Sequence, residues 1–195
     1  MRKLPHSFCL FTLVALSACA TDQRFDTAVD SFAKGDMKTA DVYAHAAEVE
    51  NPAEKKVLAL EGWINLKKGD LVTATKYLAR LQAIDPDYIE TIQLTAWVNY
   101  GWGNLAAADK AFHDEKGWAE GHRVRRSFPR YYSPSSVEFI NNIWADGNTG
   151  LGSLALGRKD YAAASDYFAL AVNVPTYLGH AMAMDGLAAA NLAPR

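Results

Sequence analysis

The stretch 60-LEGWINLKKGD-70 returns in altered form as 94-LTAWVNYGWGN-104. Leu, Trp, a β-branched residue, Asn and Gly come in the same order, each 34 residues from its counterpart. The same spacing links Gly35-Asp36, Gly69-Asp70 and Gly103-Asn104. An alanine stands five residues after each glycine (Ala40, Ala74, Ala108), and a small residue seven before it (Ala28, Gly62, Ala96). Pro52 and Pro86 close the first two units. Small residues let two helix backbones come close, and Gly followed by Asp or Asn ends one helix and caps the next. Proline stops the second helix because it lacks an N–H and disfavours helix in the residue before it. A period of this length marks an array of stacked units, each too small to bury its apolar face alone.

These landmarks resemble the tetratricopeptide repeat, two antiparallel helices in about 34 residues. The resemblance implies an all-α fold, an α-solenoid of about four helix pairs plus a C-terminal capping helix. Three units occupy residues 21–122. They depart from the family's pattern at Glu61 and Thr95, where a large apolar residue is usual, and at Asn65 and Asn99, where an aromatic is usual. The third unit has Glu120 in place of its closing proline. From residue 113 the rhythm breaks: 113-HDEKGWAEGHRVRRSFPRYYSPSS-136 is rich in Gly, Pro, Ser and charge and reads as a loop or irregular connection. Within it, 123–144 is an Arg/aromatic insert in which Ser133-Pro134 starts a helix. Aligning Ala164 with Ala108 makes 145–178 a degenerate fourth unit, and 179–195 a capping helix and tail.

The N-terminus carries Arg2 and Lys3, then an apolar run from Phe8 to Leu16 that is too short to span a bilayer. Leu16-Ser17-Ala18-Cys19 resembles the lipobox of bacterial lipoproteins. The alternative is an ordinary signal peptide with a chance cysteine at its end. The lipobox resemblance implies a signal peptide over 1–18 and a mature chain beginning at 19–20 with lipidated Cys19. Ala20, in place of the aspartate associated with inner-membrane retention, implies a lipid anchor in the outer membrane facing the periplasm. Multiple acyl chains anchor stably where one does not. The mature body would hold no cysteine besides Cys19, and so no disulfide. It would carry 18 basic against 22 acidic side chains, a balance that argues against nucleic-acid binding.

No phosphate loop, dinucleotide fingerprint or nucleophile elbow is present, so no cofactor and no catalytic residue is expected. His113-Asp114-Glu115 with His122 comes nearest to a metal or acid–base cluster, but neighbours on a helix point apart and no metal is expected there. Ser135 and Ser136 have no local partner arrangement. Arg123, Arg125, Arg126 and Arg130, interleaved with Phe128, Tyr131 and Tyr132, compose either an anionic-ligand patch or a connection whose aromatics pin it while its arginines face water. In the family's geometry the ninth place of each unit faces a concave groove, and here it holds Val29, Trp63, Trp97 and Ser153. Four places earlier stand Phe25, Ala59, Gln93 and Thr149, and Lys56, Lys67 and Tyr100 face in as well. Aromatics flanked by lysine suit a peptide or helix with acidic and apolar residues. The alternative is that Trp63 and Trp97 pack between neighbouring helices.

Lipobox and repeat together resemble the small tetratricopeptide lipoproteins of tight-adherence and type IV pilus systems. That resemblance implies an outer-membrane-anchored scaffold that binds protein partners during assembly of a cell-envelope machine, for a pilus or for secretion. An adaptor for cell-wall hydrolases or proteases belongs to the same class. A glycan-binding or hydrolytic protein using residues 113–144 is the reading from a different class.

Overall fold

A computed structural model of the chain describes residues 23–124, 134–175, 177 and 179–193, and its regular elements there are all helical. They are α1 (residues 23–33), α2 (Met37–Glu50), α3 (Lys55–Lys67), α4 (Leu71–Ile84), α5 (Ile89–Gly101), α6 (Leu105–Val124), α7 (Pro134–Gly157), α8 (Tyr161–Val172) and α9 (His180–Leu192). Two compact units divide after Pro86, the first holding α1–α4 and the second α5–α9. Within each unit, helices adjacent in sequence pack on one another: α2 on α3 and α3 on α4, then α5 through α9 in succession. The fold is all-α, with the consecutive packing of a solenoid-like repeat.

One turn is used four times. Gly35, Gly69 and Gly103 adopt φ of 78°, 79° and 76°, and Lys159 takes the same left-handed place at 62°. Only glycine enters that region without steric cost from a Cβ. The next residue (Asp36, Asp70, Asn104 or Asp160) sends its backbone N–H back to the carbonyl of Ser31, Asn65, Asn99 or Ala155 at 2.9 Å, closing the first helix. Asp36, Asp70 and Asp160 then cap the second helix, accepting from the backbone N–H of Thr39, Thr73 and Ala163. The small residues beside these turns are buried as their spacing demands: Ala28 and Ala96 on first helices and Ala40, Ala74, Ala108 and Ala164 on second helices show no exposed surface.

The segment from 113 onward differs from its sequence reading. Residues 113–124 continue α6, which runs unbroken from Leu105 to Val124. Its buried positions Ala108, Ala111, Phe112, Glu115 and Ala119 keep a helical period, but one of them is a glutamate, which hides the stripe among the charges of HDEKGWAEG. With Glu120 where the earlier units have proline, nothing stops the helix. The expected boundary at 145 is also crossed, since α7 is one helix of 24 residues from Pro134 to Gly157. The third and fourth pairs are therefore joined through two lengthened helices, α6 and α7, which pack together.

Glycines on α7 and α9 let large rings sit against backbone. A Cβ at Gly150 would fall 2.2 Å from the Phe112 ring, and one at Gly186 would fall 2.3 Å from the Phe168 ring. Phe112 and Phe168 are two of the largest fully buried side chains. The cover that α9 provides for α8 rests on that contact and on buried Ala183 and Ala190.

Gly150→Ala and Gly117→Ala should move stability in opposite directions. At 150 the methyl overpacks a closed core, a cost of about 1–3 kcal/mol. At 117 it meets nothing within 4 Å on an exposed helix position, so the gain in helix propensity, about 0.5–1 kcal/mol, goes unopposed. Thermal unfolding followed by circular dichroism separates the two. A Gly117→Ala chain no more stable than the parent would argue against helix there.

Candidate functional site

In the first unit the expected partner-facing residues fall on two helical stripes. Phe25 and Val29 lie one turn apart on α1, while Lys56, Trp63 and Lys67 follow at spacings of seven and four on α3. The stripes touch where the Lys56 ammonium sits 4.8 Å from the centre of the Phe25 ring. Val29 and Lys67 are exposed, and Phe25, Lys56 and Trp63 are partly buried. Among the described residues no acceptor takes the Trp63 indole N–H and no aromatic ring stacks on its indole.

Its counterpart one repeat later is used differently. The Trp97 Nε1–H donates to Asp146 Oδ2 at 2.8 Å, and its ring meets Phe112 and Tyr100 edge-on at 5.0 and 5.7 Å. Gln93, one turn earlier on α5, donates through Nε2 to Glu115 Oε1 at 2.8 Å and to Asp146 Oδ2 at 3.4 Å. Tyr177, between α8 and α9, donates its hydroxyl to Asp146 Oδ1 at 2.5 Å. Three helices, α5, α6 and α7, and a connecting segment thus meet at two carboxyl groups. Gln93, Trp97 and Tyr100, expected in a groove, are all partly buried here, and the first two direct their polar atoms inward.

Glu115 has no exposed surface, and its Oε2 has no partner as a carboxylate. Burial, and then the neighbouring Asp146 charge, push its carboxyl well above the usual carboxylate range. Protonation of Glu115 leaves the neighbouring pair with one charge in place of two. Burial also raises Asp146, although hydrogen bonds from Tyr177, Trp97 and Glu115 oppose the rise. The arrangement is a buried carboxyl pair held by an amide, an indole and a phenol.

Glu115, Asp146 and Tyr177 were not among the residues singled out from sequence as a site. Glu115 was weighed only with His113, Asp114 and His122, and the structure separates that group. His113 and Asp114 are exposed, while Glu115 turns into the core. His122 stacks on Trp118 at 3.8 Å between ring centres, about 13 Å along the helix axis from His113. Of the four arginines, Arg123 lies with its guanidinium 4.3 Å from the centre of the Trp144 ring. Arg125, Arg126, Arg130 and Cys19 lie outside the described residues, as does the side chain of Ser135.

A second carboxylate group occurs in the first unit. Glu61, which replaces the usual apolar residue on α3, is 2% exposed. Burial, and then the charges of Glu48 and Asp41, raise its carboxyl to about 7. Burial opposes ionisation of Glu48 too, but hydrogen bonds from Arg80 and Tyr77 prevail and hold it below the usual range. No helix among the described residues is long and apolar enough to cross a membrane. No protein-family model matches the chain, and no curated protein does.

The Glu115 shift sets a pH dependence. Its folded pKa lies above the unfolded value of about 4.3, so the native state holds a proton that the unfolded chain has released. The resulting stability is complete below that unfolded value and is lost as pH rises toward the folded one. Glu115→Gln, which has no proton to release over this range, should remove this loss. Measured from pH 5 to pH 8, its melting temperature should rise relative to the parent's. A constant difference would mean that Glu115 is ionised in the fold throughout.

Proposed function

We propose that this chain is a lipid-anchored scaffold that captures a protein partner during assembly of a cell-envelope machine, with the first unit's helix stripes as the capturing surface. The observation that carries this reading is the unequal use of the two tryptophans. Trp97 is committed to Asp146, whereas among the described residues nothing accepts from the Trp63 indole N–H, which lies on a partly buried stripe between Lys56 and Lys67. An accessible indole offers large contact area, one donor and little side-chain entropy to lose, properties that make tryptophan common at binding hot spots. Flanking ammonium groups favour a segment carrying acidic and apolar residues. The fold supports the same reading, since paired-helix arrays serve as extended binding surfaces. The lipobox at Leu16–Cys19 supports the anchor, and its combination with the repeat supports a pilus or secretion machine as the assembly served.

An enzymatic role for residues 113–144 draws no support from the separation of His113 and His122. The acid pair is an internal brace, closed off by the residues that hold it.

Trp63→Ala should abolish capture of the partner by the membrane-anchored chain in a crosslinking pull-down, with little change in melting temperature. Trp97→Ala should instead cost stability, about 1–3 kcal/mol from leaving Asp146 short of a donor and more from the lost ring contact with Phe112. Equal loss of stability in both variants would argue that Trp63 is a packing residue. Cys19→Ser should release the protein from membranes on fractionation, and retention in the membrane fraction would refute the anchor.

A further inference from the structure

The first unit holds a set of donor atoms that neither the repeat fold nor the capture surface requires. His45 and Glu48 lie one turn apart on α2, and Glu61 projects from α3, which packs against it. One imidazole nitrogen and one oxygen from each carboxylate all lie within 4.8 Å of one another. His45 Nδ1 and Glu48 Oε2 are 3.6 Å apart. Ligands of a tetrahedral zinc ion, at about 2.0–2.1 Å from the metal, are about 3.3 Å from each other, so small side-chain rotations suffice.

Three features distinguish this group from a chance cluster of surface acids. Glu61 is 2% exposed, yet its carboxylate accepts no hydrogen bond among the described residues. The nearby cations are already engaged, Arg80 with Glu48 and Lys68 with Asp41 at 3.0 Å. A nearly buried carboxylate without a donor is costly unless a cation compensates it. Glu48 is held from behind, with Tyr77 Oη donating to it at 2.9 Å and Arg80 donating to its other oxygen. Such outer-shell bonds are what orient a carboxylate ligand. His45 closes the set from the solvent side, its side chain 70% exposed, which leaves the position reachable by an ion.

We propose that His45, Glu48 and Glu61 bind a divalent transition-metal cation of the zinc class, joining α2 to α3. One nitrogen and two oxygens suit zinc and its neighbours better than calcium or magnesium, which take more ligands and prefer oxygen alone. Three protein ligands leave at least one coordination position open to water or to a partner's side chain.

The full-length chain in detergent micelles is titrated with Zn²⁺ by calorimetry and with Co²⁺ by visible absorption. The expected result is saturable uptake of a single equivalent with micromolar affinity, weakened at least tenfold by Glu61→Gln and by His45→Ala. Circular dichroism establishes that each variant is folded. Because His45 is exposed, its removal leaves packing intact and decides the question even if Glu61→Gln disturbs the fold. No saturable uptake below the millimolar range, or affinity unchanged in either folded variant, overturns the proposal.

Discussion

The structure depends on how closely the two helices of each pair approach. That approach is set by a small residue on the first helix facing an alanine on the second, and by a turn that reverses the chain within three residues. The turn requires one left-handed backbone position, followed by a residue whose N–H closes the outgoing helix. Once those are in place, the 34-residue spacing delivers each stripe of side chains to a repeated position. Everything with functional consequence, from the Trp63 stripe to the buried carboxyl groups, is carried on that register. The Lys159 turn shows how strong the constraint is: a residue with a Cβ accepts φ of 62° because the chain must reverse there.

The second unit departs from regularity, and its departures are connected. Without a proline near residue 120, α6 extends, and α7 begins early enough to lie beside the extension. Phe112 and Glu115 on α6 then face α7, where Gly150 makes room for the ring and Asp146 meets the carboxyl. An acid pair inside a helical core demands donors, and Gln93 and Trp97 on α5 and Tyr177 between α8 and α9 supply them. The hydrogen bonds these donors make to the two carboxyl groups favour one arrangement of α5, α6 and α7 over alternatives of similar apolar packing.

Much of this was legible in the sequence because turns write their requirements locally. Gly35, Gly69 and Gly103, the capping aspartates and the small residues announce the helix pairs without knowledge of any long-range contact. The α6 extension was not legible, because Glu115 fills a core position with a charge-bearing letter and breaks the apolar period that reveals a helix. Asp146 and Tyr177 were missed for a related reason: their role exists only once segments 31 residues apart meet. Nor does a repeated letter guarantee a repeated role. Trp63 and Trp97 occupy equivalent places, but among the described residues only Trp97 gives its indole N–H to an acidic residue. The unusual Glu61, a departure from the pattern, is a further buried carboxyl whose neighbours His45 and Glu48 on α2 could be assigned only in three dimensions.

The claim that these two tryptophans have parted ways is open to one direct measurement, hydrogen exchange of the indole N–H groups by NMR with ¹⁵N-labelled tryptophan. The account predicts that the Trp97 indole N–H, bonded to Asp146, exchanges slowly, while that of Trp63 exchanges rapidly in the absence of a partner. Equal protection of both, or a rapidly exchanging Trp97, would contradict it.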